Sequence, residues 1–356
     1  MSNFALFIEP LKCLRNDYAA NECIICVDVC PEKAIIVKRN KITFEENICT
    51  LCHACVGVCP TEAVESEKFE PNIFIAKEIS IENNELKQKL LSNNLKLSCK
   101  ELGVCLSVFD ESHLITLALK SARKISVDIS PCAECDLNKE SKLKNAIDLS
   151  LGVANSFLEE FANKNIEIVS QKAADRRNFF KTILKRSVNA MEEYEEKPQK
   201  PKTKLPLKRI LLKNAIKDAL EETNRFVQND YPFSVSKTID KNCTNCKACV
   251  EFCPTNALFY SNDFSKIYFQ SGKCVSCDIC NDICAPKSFT DGFERDMSMF
   301  AFDKASAAIE HNLIICRSCK LAFSSKDGEE ICPQCEEYNN DFAHMFMTAE
   351  ELERGV

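Results

Sequence analysis

Histidine is scarce in this chain, with four residues in 356 and no two of them clustered. General acid–base chemistry therefore has few candidates. The sequence has no G-x-G-x-x-G, no P-loop and no nucleophile–base triad spacing to supply another kind of active site. No stretch approaches the ~20 apolar residues of a membrane helix. The opening MSNFALFIEPLKC lacks the basic start and long apolar core of a secretion signal. Basic residues are outnumbered, 46 Lys and Arg against 53 Asp and Glu, for a net charge of −7. That balance suits neither nucleic acid nor an anionic membrane surface.

Cysteine is what the chain has in excess: 24 residues. Most of them fall in C-x₂-C runs too close together for a sensible disulfide network, so a reducing, cytoplasmic setting is expected. The length allows two or three domains. The densest stretch, Cys243 to Cys284, reads CTNCKACVEFCP and, after a spacer, CVSCDICNDICAP. Each half is C-x₂-C-x₂-C-x₃-C closed by proline, one residue late in the second half. Between them ALFYS and KIYFQ, separated by Asn262-Asp263, predict a β-hairpin. Four-cysteine sites with C-x₂-C pairs usually hold zinc, but two consecutive three-cysteine runs closed by proline do not suit tetrahedral pairs.

The N-terminal segment repeats the pattern. Cys49, Cys52, Cys55 and Cys59-Pro60 form a complete run, and Cys23, Cys26 and Cys30-Pro31 supply the last three positions of an earlier one. Its first position falls to Cys13, across the polar insertion LRNDYAANE, which can loop out at little cost. AIIV, a polar turn at Lys38 to Lys41, and ITFE predict the matching hairpin, so this is an internal repeat.

These runs resemble the bacterial ferredoxins that carry two [4Fe–4S] cubanes, with the unit present twice, as in a polyferredoxin. The resemblance implies that the fourth cysteine of each run crosses to the other cluster. One C-terminal cluster would then use Cys243, Cys246, Cys249 and Cys284, and the other Cys274, Cys277, Cys280 and Cys253. At the N-terminus the sets would be Cys13, Cys23, Cys26 and Cys59, and Cys49, Cys52, Cys55 and Cys30. Without Cys13, a three-iron or aqua-ligated cluster is implied at the first set. The prolines are expected to start short helices that lead the chain from one cluster to the other. His53 reads as an exposed loop residue. Four filled cubanes would bring the charge to roughly −15, which suits a basic docking face on a redox partner.

Residues 70 to 93 read as a helical connector. NLKLSC, SHLITLALKSA, KISVDISPC, KNAIDLSLGVANSFLEEFA and NIEIVSQ then alternate strand and helix patterns, predicting a small α/β unit with a parallel sheet. Cys99 and Cys132 follow strand patterns, and Cys105 and Cys135 lie just beyond, so all four can converge on one metal at the strand ends. Their placement loosely resembles the iron–sulfur delta subunit of viologen-reducing hydrogenases. A [2Fe–2S] or a zinc centre, buried structural thiols, and a redox dithiol at Cys132-Cys135 all remain open. Arg176-Arg177 resembles a twin-arginine export motif, but it is internal and followed by charge, so it reads as an exposed segment or a basic docking patch.

EEYEEKPQKPKTKLPLK is a charged linker. After it, Ile210, Leu211, Ala215, Ile216, Ala219 and Leu220 mark an amphipathic helix, and SVSKTID reads as a strand. A helix-like stretch near Phe300 to Ile309 leads to Cys316, Cys319, Cys332 and Cys335, two C-x₂-C knuckles that resemble a zinc ribbon or, less well, rubredoxin. The fold class expected is α+β, in five segments. Residues 1–69 form one dicluster module, 70–172 the α/β unit, 173–206 the linker, 207–295 the second module with its leading helix, and 296–356 the ribbon region. The function expected is electron transfer through four [4Fe–4S] clusters, as a subunit or accessory of a larger oxidoreductase such as formate dehydrogenase or hydrogenase. The alternatives are an iron–sulfur assembly factor or scaffold, and an enzyme centred on the α/β unit.

Overall fold

Short strands that cannot bury a face alone must pair and then pack on something, and each cysteine-rich end of the chain does this in the same way. The computed structural model describes residues 4–17, 21–82, 94–170, 205–325 and 328–342. At the N-terminus β1 (Leu6–Ile8) pairs antiparallel with β4 (Val64–Ser66), and β2 (Ile35–Lys38) with β3 (Lys41–Phe44). Arg39 and Asn40 both take positive φ (49° and 59°), the two-residue turn whose twist suits a hairpin. At the C-terminus β8 (Val235–Ile239) pairs with β11 (Phe289–Phe293), and β9 (Leu258–Tyr260) with β10 (Lys266–Phe269). Here β12 (Ser306–Glu310) adds a third strand beside β10.

Between them, β5 (Asn94–Ser98), β6 (Lys124–Asp128) and β7 (Glu167–Val169) form a parallel sheet in that order. Helices Glu111–Lys120 and Lys142–Ala162 provide the crossovers. The mixture of small antiparallel sheets, one parallel sheet and helices is α+β. Among the described residues no helix is long and apolar enough to cross a membrane.

Three sequence readings are corrected. The prolines after the fourth cysteines do not start helices. The short helices Ile25–Val29, Ala54–Val58, Ala248–Glu251 and Ile279–Ile283 lie before those cysteines and carry the third ligand position of each run. Beyond each fourth cysteine the chain makes a tight turn, with Lys33, Glu62, Asn256 and Lys287 at positive φ. The helix-like stretch near Phe300 to Ile309 divides into helix Met297–Ala301 and strand β12. Its alanines fit a helix, but the free edge of β10 takes them as a strand, so tertiary pairing overrides propensity. Arg176-Arg177 and nearly all of the 173–206 linker lie outside the described residues.

The third correction concerns helix Leu207–Ala219. Ile210 is exposed, whereas Lys208, Arg209, Leu212, Lys213, Ala215 and Ile216 are buried. The helix wedges between helix Glu111–Lys120 and helix Met297–Ala301, and Glu62 caps its start by accepting from the N–H groups of Leu207 (2.8 Å) and Lys208 (2.7 Å). A carboxylate there also complements the helix dipole. Lys208 Nζ donates to Asp110 Oδ2 at 2.7 Å and to the Gly57 carbonyl at 2.9 Å. Arg209 turns the other way. Its guanidinium donates to the carbonyls of Gly272 (3.1 Å), Phe233 (2.6 Å), Ser271 (2.8 Å) and Cys274, and lies over the Phe300 ring.

An aromatic ladder runs alongside. Phe157 stacks on Phe161 and meets Tyr231 and Phe233 edge-on at 5.1 Å, and Phe233 meets Phe300 at 5.9 Å. Each such pair adds about 0.5–1.5 kcal/mol beyond its buried area. One continuous core therefore joins the first ferredoxin-like unit, the parallel sheet and the start of the second unit, and a smaller core lies under β9 and β10.

Asp110 is the N-cap of helix Glu111–Lys120, its side chain accepting from the His113 N–H. Burial works against its charge, but Lys208 and His113 outweigh burial and hold the carboxyl far below the usual carboxylate range. Its contribution is complete above the ordinary value near ~3.9 and is lost as pH falls toward the depressed one. Lys208→Met should cost about 3–5 kcal/mol by stranding that charge. Lys208→Met/Asp110→Asn should recover part of the loss, read as a rise in Tm over the single variant.

Candidate metal centres

The loops that carry the cysteines get their shape from left-handed backbone at fixed places. In each complete run the residue two after the first cysteine and the one after the second have positive φ. These are Leu51 and His53, Asn245 and Lys247, and Ser276 and Asp278. None is glycine, so each position costs of order 1–3 kcal/mol, a local strain typical of ligand-holding sites. Alternating hands turn successive N–H groups inward, the concave arrangement that receives anions. The irregular first run departs here too, since Ile24 after Cys23 has φ −128°. Arg15 compensates by donating to the carbonyls of Asn21 (2.9 Å) and Cys23 (3.3 Å), which ties the segment after Cys13 to the run.

The turn after each fourth cysteine repeats as well. Ala34 donates to Cys30 Sγ at 3.3 Å, Ala63 to Cys59 at 3.2 Å, Ala257 to Cys253 at 3.2 Å and Ser288 to Cys284 at 3.4 Å. The fourth copy has its proline one residue late and still makes the bond. Backbone donors to sulfur stabilise thiolate charge and tune cluster potentials.

The sulfurs group across the runs. Burial first, then Cys59, Cys23 and Cys13, raise the Cys26 thiol to about 12. Burial and then Cys52, Cys26, Cys49 and Cys30 raise Cys55 well above its ordinary value. At the other end burial and then Cys243, Cys246 and Cys284 raise Cys249 to about 12. Cys277 and Cys280 are both raised, chiefly by burial, with Cys274 and Cys253 among their charged neighbours. The fourth cysteine of each run thus acts on the third cysteine of the other, with Cys26 also acting on Cys55. Thiols this reluctant to ionise deprotonate when metal replaces the proton, so loading releases protons.

Two recesses coincide with two of these sets. One is lined by Cys30, Cys49, Cys52 and Cys55 under Leu6, Ile35 and Phe44. Its counterpart is lined by Cys253, Cys274, Cys277 and Cys280 under Leu258, Phe269 and Lys237. Position by position, the first strand offers leucine in one unit and lysine in the other. Lys237 is 4% exposed and bonds Asp291 at 2.6 Å. Burial works against its charge, but Cys280 and then Asp291 outweigh it and raise its pKa. The sequence carried a signal for this, since Lys237 alternates with Val235 and Ile239 on the inward face of a strand. His53, read as exposed, is buried, and burial lowers its pKa. The left-handed turn at this residue points its ring inward rather than to solvent.

Cys316, Cys319, Cys332 and Cys335 form a different kind of group. They lie at the end of hairpin β13 (Leu313–Ile315) and β14 (Ala322–Ser324) and at the start of helix Pro333–Phe342. Their sulfurs all lie within 4.8 Å of one another. Burial opposes ionisation of Cys316, but N–H groups of Cys332, Cys319 and Ser318 bring it down to about 6. Four sulfurs this close together could serve one four-coordinate metal ion. Cys99, Cys105, Cys132 and Cys135 follow β5 and β6 at one edge of the parallel sheet, as the alternation predicted, and they influence one another's charge.

Comparison with known proteins agrees with the two regular regions. Residues 242–288 match the 4Fe-4S dicluster domain, and residues 42–65 match the 4Fe-4S binding domain. The chain is 36% identical over 59 residues to the archaeal-type glutamate synthase [NADPH] of Thermotoga maritima, covering 17% of this chain and 12% of that protein. A second such synthase, from Thermotoga sp. (strain RQ2), matches equally, so the chain spans only about an eighth of these relatives. It is 31% identical over 65 residues to ferredoxin oxidoreductase 1 subunit ForD of Aquifex aeolicus, covering 17% of this chain and 82% of that subunit. The repeated loops, the donors to sulfur and these matches together place the chain in the ferredoxin-like 4Fe–4S family, with the unit present twice.

Proposed function

We propose that this chain is an electron-transfer subunit or accessory of a larger oxidoreductase, of the kind represented by formate dehydrogenase or hydrogenase. In this reading it holds four [4Fe–4S] clusters in the crossed sets described above and one zinc at Cys316, Cys319, Cys332 and Cys335. What supports it is the repeated spacing of sixteen cysteines whose thiols act on one another across the runs, with no other residue type at any of these positions. A cubane with four thiolates supplies one-electron chemistry and leaves no open iron for substrate.

The protein's own residues do the rest. Backbone N–H groups hold sulfur charge, and apolar walls at Leu6, Ile35, Phe44, Leu258 and Phe269 exclude water. Helix Leu207–Ala219 keeps the two units together: Lys208 feels the charge of Cys59 in one, and Arg209 bonds the Cys274 carbonyl in the other. Cys246 is exposed, and beside it Lys247 lies over the exposed Phe264 ring. That corner supports docking of a redox partner with its cluster close to the surface.

Reduced protein mixed anaerobically with an oxidised acceptor protein should pass electrons on while keeping its iron. Net transfer of iron and sulfide to an apo-protein instead would favour the assembly-factor reading. Lys237→Met should lower the potential of the cluster at Cys253, Cys274, Cys277 and Cys280 by on the order of 100 mV, measured by EPR-monitored titration, with the N-terminal clusters unchanged. Cys316→Ser should remove the single zinc without loss of iron, measured by metal analysis.

A further inference from the structure

A further four-thiol group lies outside both ferredoxin-like units. Cys99 and Cys105 follow β5, and Cys132 and Cys135 follow β6, so neighbouring parallel strands deliver all four to one sheet edge. Burial and then Cys105, Cys99 and Cys135 act on the Cys132 thiol.

Spacing separates this group from the zinc-like one. Zinc–sulfur bonds of about 2.3 Å put tetrahedral thiolates roughly 3.8 Å apart. Among the described residues, only Cys316, Cys319, Cys332 and Cys335 bring three or more ligand atoms within 4.8 Å of one another. The sheet-edge group is wider, like the four sets in the ferredoxin-like units. Wider spacing suits thiolates bound to different irons of one cluster.

Position supplies the second argument. A Cβ on Gly57 would lie 2.2 Å from the Val108 carbonyl oxygen and 3.0 Å from that of Ser107. Only glycine permits that approach. Helix Ala54–Val58, which carries Cys55, is therefore in backbone contact with the turn Leu106–Val108 that directly follows Cys105.

We propose that Cys99, Cys105, Cys132 and Cys135 hold a fifth, polynuclear iron–sulfur cluster in series with the one at Cys30, Cys49, Cys52 and Cys55. The inference rests on the carrier reading of the neighbouring sites. One electron leaves the reduced cluster as the other gains it, and no bond is made or broken. The middle unit is then an electron port and not a zinc-stabilised spacer.

The test uses the full chain, purified anaerobically, analysed for iron, sulfide and zinc, and examined by EPR after dithionite reduction. Cys132→Ser/Cys135→Ser is treated alongside. The variant should lose about two to four irons, keep its zinc, and show a narrower spectrum because spin–spin broadening from the neighbour has gone. Loss of zinc in place of iron overturns the proposal, as does loss of iron with an unchanged residual spectrum. If the variant does not fold, the native chain decides. More than about sixteen irons with an interaction-broadened spectrum supports the fifth cluster, whereas sixteen or fewer overturns it. Absence of every cubane signal overturns the carrier reading as well, whereas intact cubane signals with zinc at the sheet edge overturn this inference alone.

Discussion

Two adjacent cations, Lys208 and Arg209, leave the same turn of one helix in different directions, and the arrangement of the rest depends on them. Lys208 is neutralised by Asp110 and bonded to the Gly57 carbonyl beside the first ferredoxin-like unit. Among the described residues Arg209 hydrogen-bonds no carboxylate and is held instead by the carbonyls of Phe233, Ser271, Gly272 and Cys274 in the second. Burial lowers its pKa to about 10, against the pull of the nearby Cys274 charge. A buried guanidinium is tolerable only when its donors are used and its charge is answered. The anionic centre proposed at the Cys274 set would answer it, and loading it would then favour docking of the two units.

The same economy of charge governs the sites. Thiols at Cys26, Cys55, Cys249 and Cys280 are pushed up by burial and by their neighbours, so they resist ionisation until a metal takes the place of the proton. Backbone donors at Ala34, Ala63, Ala257 and Ser288 are already aimed at sulfur. The strain of non-glycine residues in left-handed conformation around the runs is the cost of aiming them. Leu6 in one recess and Lys237 in its counterpart give two similarly lined recesses different electrostatics.

Much of this was legible in the sequence because metal ligation writes itself as spacing. The two hairpins, the strand at Val235–Ile239 and the parallel sheet follow from apolar patterning and turn residues, whereas the crossed grouping is what the resemblance to two-cluster ferredoxins implies. What was not legible depends on contacts distant in the chain. Ile210 looked like a core residue by helical period, but the helix buries Lys208 and Arg209 because their partners, Asp110 and the carbonyls near Cys274, are about a hundred and about sixty residues away. Strand β12 was hidden for the same reason, since its alanines gain their pairing only from β10. Gly57 gave no signal of its own, and its importance appears only where Val108 closes on it.

Iron, sulfide and zinc counted per chain in anaerobically purified native protein test the account most directly. The account predicts a brown protein with iron and sulfide in equal number, no fewer than about sixteen of each, and one zinc. A colourless protein with zinc in the ferredoxin-like units would contradict it.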